Sequence, residues 1–279
     1  MYDYESDWEV VIPTIFPDGT SQVWKLKTKI DNSNTYIIKW NFENEAELIH
    51  VAQLKCLLGS LRTKLEIPYF PYARQDKDMS NESTFAKFPF LDLLSSMNFY
   101  EITAYDIHSR RQGFKHANIQ NKRPDYLNEV IQHANPDLIF YPDEGAYKRY
   151  SEMFVGENSR LNMLPKGYGT KVRNQSTGVI ESYNVVLPSD YIQDYNVLIV
   201  DDLCDGGATF IEAAKELKKA GLGQVNVDLA VSHGVFSKGV THLFENGIRN
   251  IYTTNSLTKN KTNSGNVYFT GHDVKVFEV

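Results

Sequence analysis

The run Val197-Leu-Ile-Val-Asp-Asp-Leu-Cys-Asp-Gly-Gly-Ala-Thr209 joins an apolar strand to the start of a helix through three carboxylates and two glycines. The carboxyl end of a strand that opens onto a helix N-terminus is where α/β sheets bind ligands. Free amides of such a loop and of the first helical turn cradle a phosphate, and the helix dipole favours its negative charge. Gly206 and Gly207 let that backbone approach closely, and Ala208 and Thr209 open the helix. Asp201, Asp202 and Asp205 would repel a bare phosphate. Carboxylates do accept hydrogen bonds from sugar hydroxyls, with metal ions neutralising charge nearby. A helix cap needs one acid, not three. The run therefore reads as a site for a ribose that carries a phosphate.

Other segments carry polar residues in the same kind of setting. Pro68-Tyr-Phe-Pro-Tyr-Ala-Arg-Gln-Asp76 places Arg74 and Gln75 in a loop framed by Phe70 and Tyr72. An arginine there can stack on a base and also reach phosphate. This run resembles the Pro-Tyr-Phe-Gly-Tyr-Ala-Arg-Gln-Asp loop of the ribose-phosphate pyrophosphokinases. Phe16-Pro-Asp-Gly19 is similar to that family's Phe-x-Asp-Gly-Glu, with Thr20 in place of Glu. Tyr105-Asp-Ile-His108 and Gln112-Gly-Phe114 resemble its Asp-Leu-His and Gln-Gly-Phe, with a spacer one residue shorter after His108. Tyr141-Pro-Asp-Glu-Gly145 resembles Ser-Pro-Asp-x-Gly, and Arg149 falls on a family arginine. Ser232-His-Gly-Val-Phe-Ser237 is similar to Thr-His-Gly-x-x-Ser, and Thr254-Asn255 to a late Thr-Asn. The 201–209 loop itself resembles the sugar-phosphate loop shared with the type I phosphoribosyltransferases.

The resemblance implies a reaction: attack of the anomeric hydroxyl of ribose 5-phosphate on the β-phosphorus of MgATP, with AMP as leaving group. It implies ATP contacts for Phe16, Asp18, Arg74, Gln75, Asp76, Lys77 and His108, with Phe16 stacking on adenine from a second subunit. Magnesium would be held by His108 and Asp143, since this ion takes few protein ligands beside phosphate oxygens and water. Asp201, Asp202, Asp205, Gly206, Gly207, Ala208 and Thr209 would hold the sugar phosphate. For the catalytic cation the family carries a Lys-x-Arg pair on a loop after the first strand of the second domain. Lys166 stands where that lysine is expected, Tyr168 takes the arginine position, and Lys171 or Arg173 could supply the missing charge. Gly167 and Gly169 suit a closing lid.

Three other readings stay open. The family's sugar loop runs Asp-Thr-x-Gly-Thr, whereas Gly206 has no hydroxyl. Its absence removes a phosphate donor and opens space for a 5-substituted ribose phosphate such as ADP-ribose. A phosphoribosyltransferase would use the same loop, although the 72–77 loop and Asp106-Ile-His108 speak against it. The altered cation loop is also compatible with a catalytically silent regulatory homologue.

The elements that must position these residues alternate between strand and helix along the 279-residue chain. Strands are predicted over 35–40, 64–70, 99–106, 138–141, 160–164, 195–200, 225–231 and 251–254. Helices are predicted over 43–58, 85–97, 126–133, 146–154, 210–219 and 236–244. The fold class is α/β, with two related phosphoribosyltransferase-type domains built on parallel sheets. The length suits a domain of 1–155 with the ATP loop and one of 156–279 with the sugar-phosphate loop. The last residues, 274–279, could return as a strand to the first domain.

A formal charge of -6 and a pI of about 5.7 leave nucleic acid a poor partner. The basic run Arg110, Arg111, Lys115, His116, Lys122 and Arg123 then reads as solvated surface or as a subunit contact for anions. Two cysteines form no disulfide framework, and neither a signal peptide nor a membrane span is visible. The expectation is a cytoplasmic enzyme that acts on small molecules and associates with itself.

Overall fold

The computed structural model describes residues 9–27, 29–75, 85–108, 118–154, 160–173, 180–188, 195–220, 224–257, 267–269 and 272–279. The chain divides into two compact units, Met1–Lys122 and Arg123–Val279. No helix among the described residues is long and apolar enough to cross a membrane.

The first unit opens with a small antiparallel pair, β1 (Thr14–Ile15) and β2 (Ser21–Gln22). It continues through β3 (Tyr36–Lys39), α1 (Glu47–Leu58), β4 (Thr63–Ile67), α2 (Lys87–Ser96), β5 (Glu101–Tyr105) and β6 (Ile119–Lys122). The last four strands form an all-parallel sheet in the order β3-β4-β5-β6. Leu65, Ile67, Phe70, Phe90, Leu94 and Ile102 fill its core, all buried. Pro89 sits in the first turn of α2, where the amide it lacks has no intrahelical acceptor, so the helix starts ahead of it. Pro68 removes an amide from the ladder and ends β4 short of the expected residue 70.

The second unit holds α3 (Tyr126–Ala134), β7 (Leu138–Tyr141), α4 (Glu144–Met153), α5 (Arg160–Met163), β8 (Lys166–Arg173), β9 (Ile180–Val186), β10 (Tyr195–Cys204), α6 (Ala208–Ala220), β11 (Val225–Gly234), α7 (Thr241–Glu245), β12 (Ile251–Thr254), β13 (Val267–Phe269) and β14 (His272–Phe277). Among the described residues the sheet order is β13-β14-β12-β11-β10-β7-β8-β9. The strands from β14 to β8 run parallel, and β9 and β13 are antiparallel additions at the two edges. In β10, Val197 and Ile199 pack into one apolar layer while Leu198 and Val200 pack into the other. This is the period-two burial of a strand covered on both faces.

Several expectations are corrected. Segment 123–155 belongs to the second unit and not the first, because β7 is hydrogen-bonded between β10 and β8. The last strand stays in that unit too, pairing in parallel with β12. Residues 160–163 are helical and not a strand. Such a short segment has no period to tell the two apart. The expected helix over 236–244 is confined to Thr241–Glu245, since Phe236 and Gly239 take positive φ.

The glycine-flanked segment at 166–169 is strand β8, not a lid. A Cβ on Gly169 would stand 2.0 Å from Tyr183 Oη and 2.8 Å from the Pro142 carbonyl oxygen. The glycine is there because β9 lays Tyr183 across the backbone, its hydroxyl donating to Pro142 O at 3.0 Å. Gly169→Ala should therefore destabilise the fold by about 1–3 kcal/mol through overpacking. The check is a lower urea midpoint at unchanged m-value; a midpoint equal to wild type would mean that this contact is not made.

Candidate active site

Register aligns the functional side chains at one edge of the second sheet. Val197, Leu198 and Ile199 pair with Leu138, Ile139 and Phe140, so Asp201 and Asp202 come level with Pro142 and Asp143, just beyond β7. This is the carboxyl edge of the parallel strands, where α/β sheets bind ligands. Asp143 caps α4, its Oδ1 accepting the Ala146 amide at 2.8 Å. The same helix carries Arg149, whose Nη2 donates to Asp201 Oδ1 and Asp202 Oδ1, both at 3.0 Å. The Asp202 side chain is 4% exposed and that of Asp201 18%. Burial pushes the Asp201 carboxyl well above the usual carboxylate range, Asp202 adds to this, and Arg149 opposes it. Burial and the charges of Asp143 and Asp201 likewise raise the Tyr183 phenol.

Asp205 and Gly206 follow β10, and Gly207 (φ 80) turns the chain into α6. A Cβ at Gly207 would lie 2.4 Å from Leu243 Cδ2, so both conformation and packing demand glycine. The connection after β11 is fastened to this loop by the Val235 and Phe236 amides, which donate to the Cys204 carbonyl at 2.9 and 3.1 Å. At the ends of β11 and β12, Ser256 Oγ lies 2.7 Å from His233 Nδ1 and the Thr254 hydroxyl donates to the Ser232 carbonyl at 2.6 Å, both buried.

In the first unit the expected ATP loop and His108 emerge from neighbouring parallel strands, β4 and β5. The Phe70 ring and Ala73 are buried, while Arg74 and Gln75 are exposed. Tyr72 takes φ 60 and donates its hydroxyl to Glu45 Oε1; that bond raises the phenol to about 12. Asp106 N donates to Lys122 O at 2.9 Å and Ile107 N to Asn121 Oδ1 at 3.0 Å, which fixes the backbone leading to His108. Asp18 turns inward on its own loop and accepts from the Thr20 amide and hydroxyl at 3.0 and 2.7 Å. These bonds, the hydroxyl's first, hold its carboxyl below the usual range. Phe16 is 36% exposed. Asp76, Lys77 and the basic residues Arg110, Arg111, Lys115 and His116 lie outside the described residues.

Lys166 is not brought to the carboxylates. It pairs with Ile139, three residues before Pro142, which is about 10 Å short of the site. Its ammonium donates to the carbonyls of Asn162 (2.8 Å) and Leu164 (3.2 Å), and burial lowers its pKa. The backbone of Lys171 and Arg173 lies beyond Gly169, past the level of Pro142. Arg149 was recognisable from the motif alone. Tyr183 had no motif to mark it.

A two-unit α/β chain with parallel sheets and this edge has the fold of a phosphoribosylpyrophosphate synthetase. The structure of that protein from Mycobacterium smegmatis matches with a TM-score of 0.72 at 23% identity, covering 96% of this chain and 86% of that one. By sequence the chain is similar to the ribose-phosphate pyrophosphokinase of Mycoplasma genitalium, 30% identical over 240 residues (82% of this chain, 68% of the relative). It is 26% identical over 256 residues to that of Methanobrevibacter smithii (87% and 84%). No protein-family model matches. The chain belongs to the ribose-phosphate pyrophosphokinase family.

The carboxylate pair should be visible in stability against pH. Asp201 has its folded pKa raised, so its neutral form contributes stability that is complete below the ordinary carboxylate value and lost as pH rises through the folded value. Asp201→Asn should then melt higher than wild type at pH 7.5, with the advantage shrinking toward pH 4. An advantage independent of pH would show that no costly ionisation occurs there.

Proposed function

We propose that this chain transfers the diphosphate of ATP to the anomeric hydroxyl of ribose 5-phosphate, giving phosphoribosyl diphosphate and AMP. The observation that carries the reading is the Asp201–Asp202 pair held by Arg149 beside the glycine loop, in a member of this family. The two carboxylates accept the ribose hydroxyls, and amides at the start of α6 take the 5-phosphate. Arg149 keeps the acceptors pointed and partly neutralised. Arg74 and Gln75, with Asp76, Lys77 and His108, contact ATP, and Phe16 reaches the adenine of a second copy, so that the active form is at least a dimer. The chain acts in the cytoplasm.

Asp143 has the hard oxygen donors that magnesium prefers, and Asp201 adds charge beside it. Asp143 would hold the ion, which when bound supplies charge neutralisation on the polyphosphate. Little covalent chemistry is asked of the side chains, so alignment of hydroxyl and β-phosphorus dominates. The cation for the developing charge comes from Lys171 and Arg173. They form a Lys-x-Arg pair on the part of β8 that runs past the end of β7, whereas Lys166 is engaged by two carbonyls.

Purified protein with MgATP and ribose 5-phosphate should yield AMP and phosphoribosyl diphosphate in equal amounts; absence of AMP would refute the reading. Lys171→Ala should cut turnover about 100-fold with ATP binding intact, and Lys166→Ala should leave turnover within a few-fold. The reverse pattern would return the role to Lys166. Arg74→Ala should raise the KM for ATP far more than that for the sugar, and Asp202→Asn should do the opposite. Equal effects on both substrates would break this division of the site.

A further inference from the structure

The segment after β11 meets the sugar-phosphate loop at Gly207 and Gly206, and folds back on its own strand at Gly234. A Cβ on Gly234 would meet the Phe236 ring at 2.1 Å, and one on Gly207 would meet Leu243 at 2.4 Å. The third contact differs in kind. A Cβ on Gly206 would stand 3.4 Å from Lys238 Cε, 3.5 Å from its Cδ and 3.6 Å from Ser237 Oγ. The far end of a lysine thus lies in van der Waals reach of where a side chain at 206 would begin. The expected opening beside Gly206 is bordered by that stem.

This placement is built into the backbone. The two amides on the Cys204 carbonyl bring the covering loop in, and Gly239 N closes a turn on Phe236 O at 2.8 Å. Lys238 is exposed, and no carboxylate among the described residues pairs with it. Its ammonium is one bond, about 1.5 Å, beyond Cε. That puts it within about 5 Å of the missing Cβ, close enough to contact a phosphate seated on the loop amides.

We infer that Lys238 is a sugar-specificity residue whose ammonium binds the terminal 5-phosphate, standing in for the hydroxyl that Gly206 lacks. The inference rests on the reading of the 201–209 loop as the ribose 5-phosphate site. A point cation serves a dianionic monoester without demanding bidentate geometry. A charge-assisted hydrogen bond outweighs the neutral hydroxyl contact it replaces.

The test uses the full chain, with steady-state kinetics and calorimetric binding of ribose 5-phosphate. Lys238→Ala should raise both KM and Kd for ribose 5-phosphate about tenfold or more, with the KM for ATP within twofold of wild type. Lys238→Arg should keep most of the affinity, and Gly206→Thr added to Lys238→Ala should regain part of it. An unchanged Kd in Lys238→Ala would overturn the role of Lys238, whatever the turnover. Failure of the double variant to regain affinity would overturn the substitution for a hydroxyl. Wild-type protein that binds ribose 5-phosphate but forms no AMP would sink the assigned reaction and leave Lys238 to be judged by Kd. No binding at all would sink both. ADP-ribose bound more tightly than ribose 5-phosphate would overturn the assignment to a monoester.

Discussion

One guanidinium shared between two adjacent carboxylates is the constraint on which the second unit is organised. Two acids side by side at the end of a buried strand cannot both ionise cheaply. Arg149 offsets that cost from α4, six residues after the Asp143 cap, so a single short helix delivers a cation and a third carboxylate to the same edge. The register of β7 against β10 sets the height of this arrangement. A slip of one residue would turn Asp201 and Asp202 to the wrong faces and undo both apolar layers with them.

The parts that were legible in the sequence are those where local chemistry and tertiary context agree. Residues 197–200 are continuously apolar, and nothing but a doubly covered strand uses such a run so briefly. Gly206 and Gly207 behind an acid pair marked the loop. The illegible parts are those where pairing overrides composition. β6 reads Ile-Gln-Asn-Lys, with one apolar residue in four, and is a strand only because β5 offers it an edge. Residues 166–169 carry two glycines, which suggest a loop until Tyr183 arrives from β9 and requires them in a strand.

The misplacement of the cation follows from that same strand. Counting from the motif put Lys166 at the site, whereas the ladder to β7 shows that three more residues must pass before the chain draws level with Pro142. Motif spacing measures distance along the chain, and a ladder measures distance along the strand. Only the second decides what can face a substrate. The domain boundary failed for a related reason: Leu138–Tyr141 is one parallel strand among several, and composition does not say which sheet it joins.

Gly206 and Gly207 let the segment after β11 seat against the sugar-phosphate loop like a key's bitting in its lock. Positions 206 and 238 are van der Waals neighbours, so if both serve the same anion they form an epistatic pair. A hydroxyl-bearing residue at 206 and a lysine at 238 would offer two donors to one phosphate, so either alone could suffice. Mutational scans that vary one position at a time would score each change against a partner already fitted to the other. Drift between the two solutions can then run through the state with both donors and avoid a glycine facing a short side chain, the state with the weakest hold on the anion.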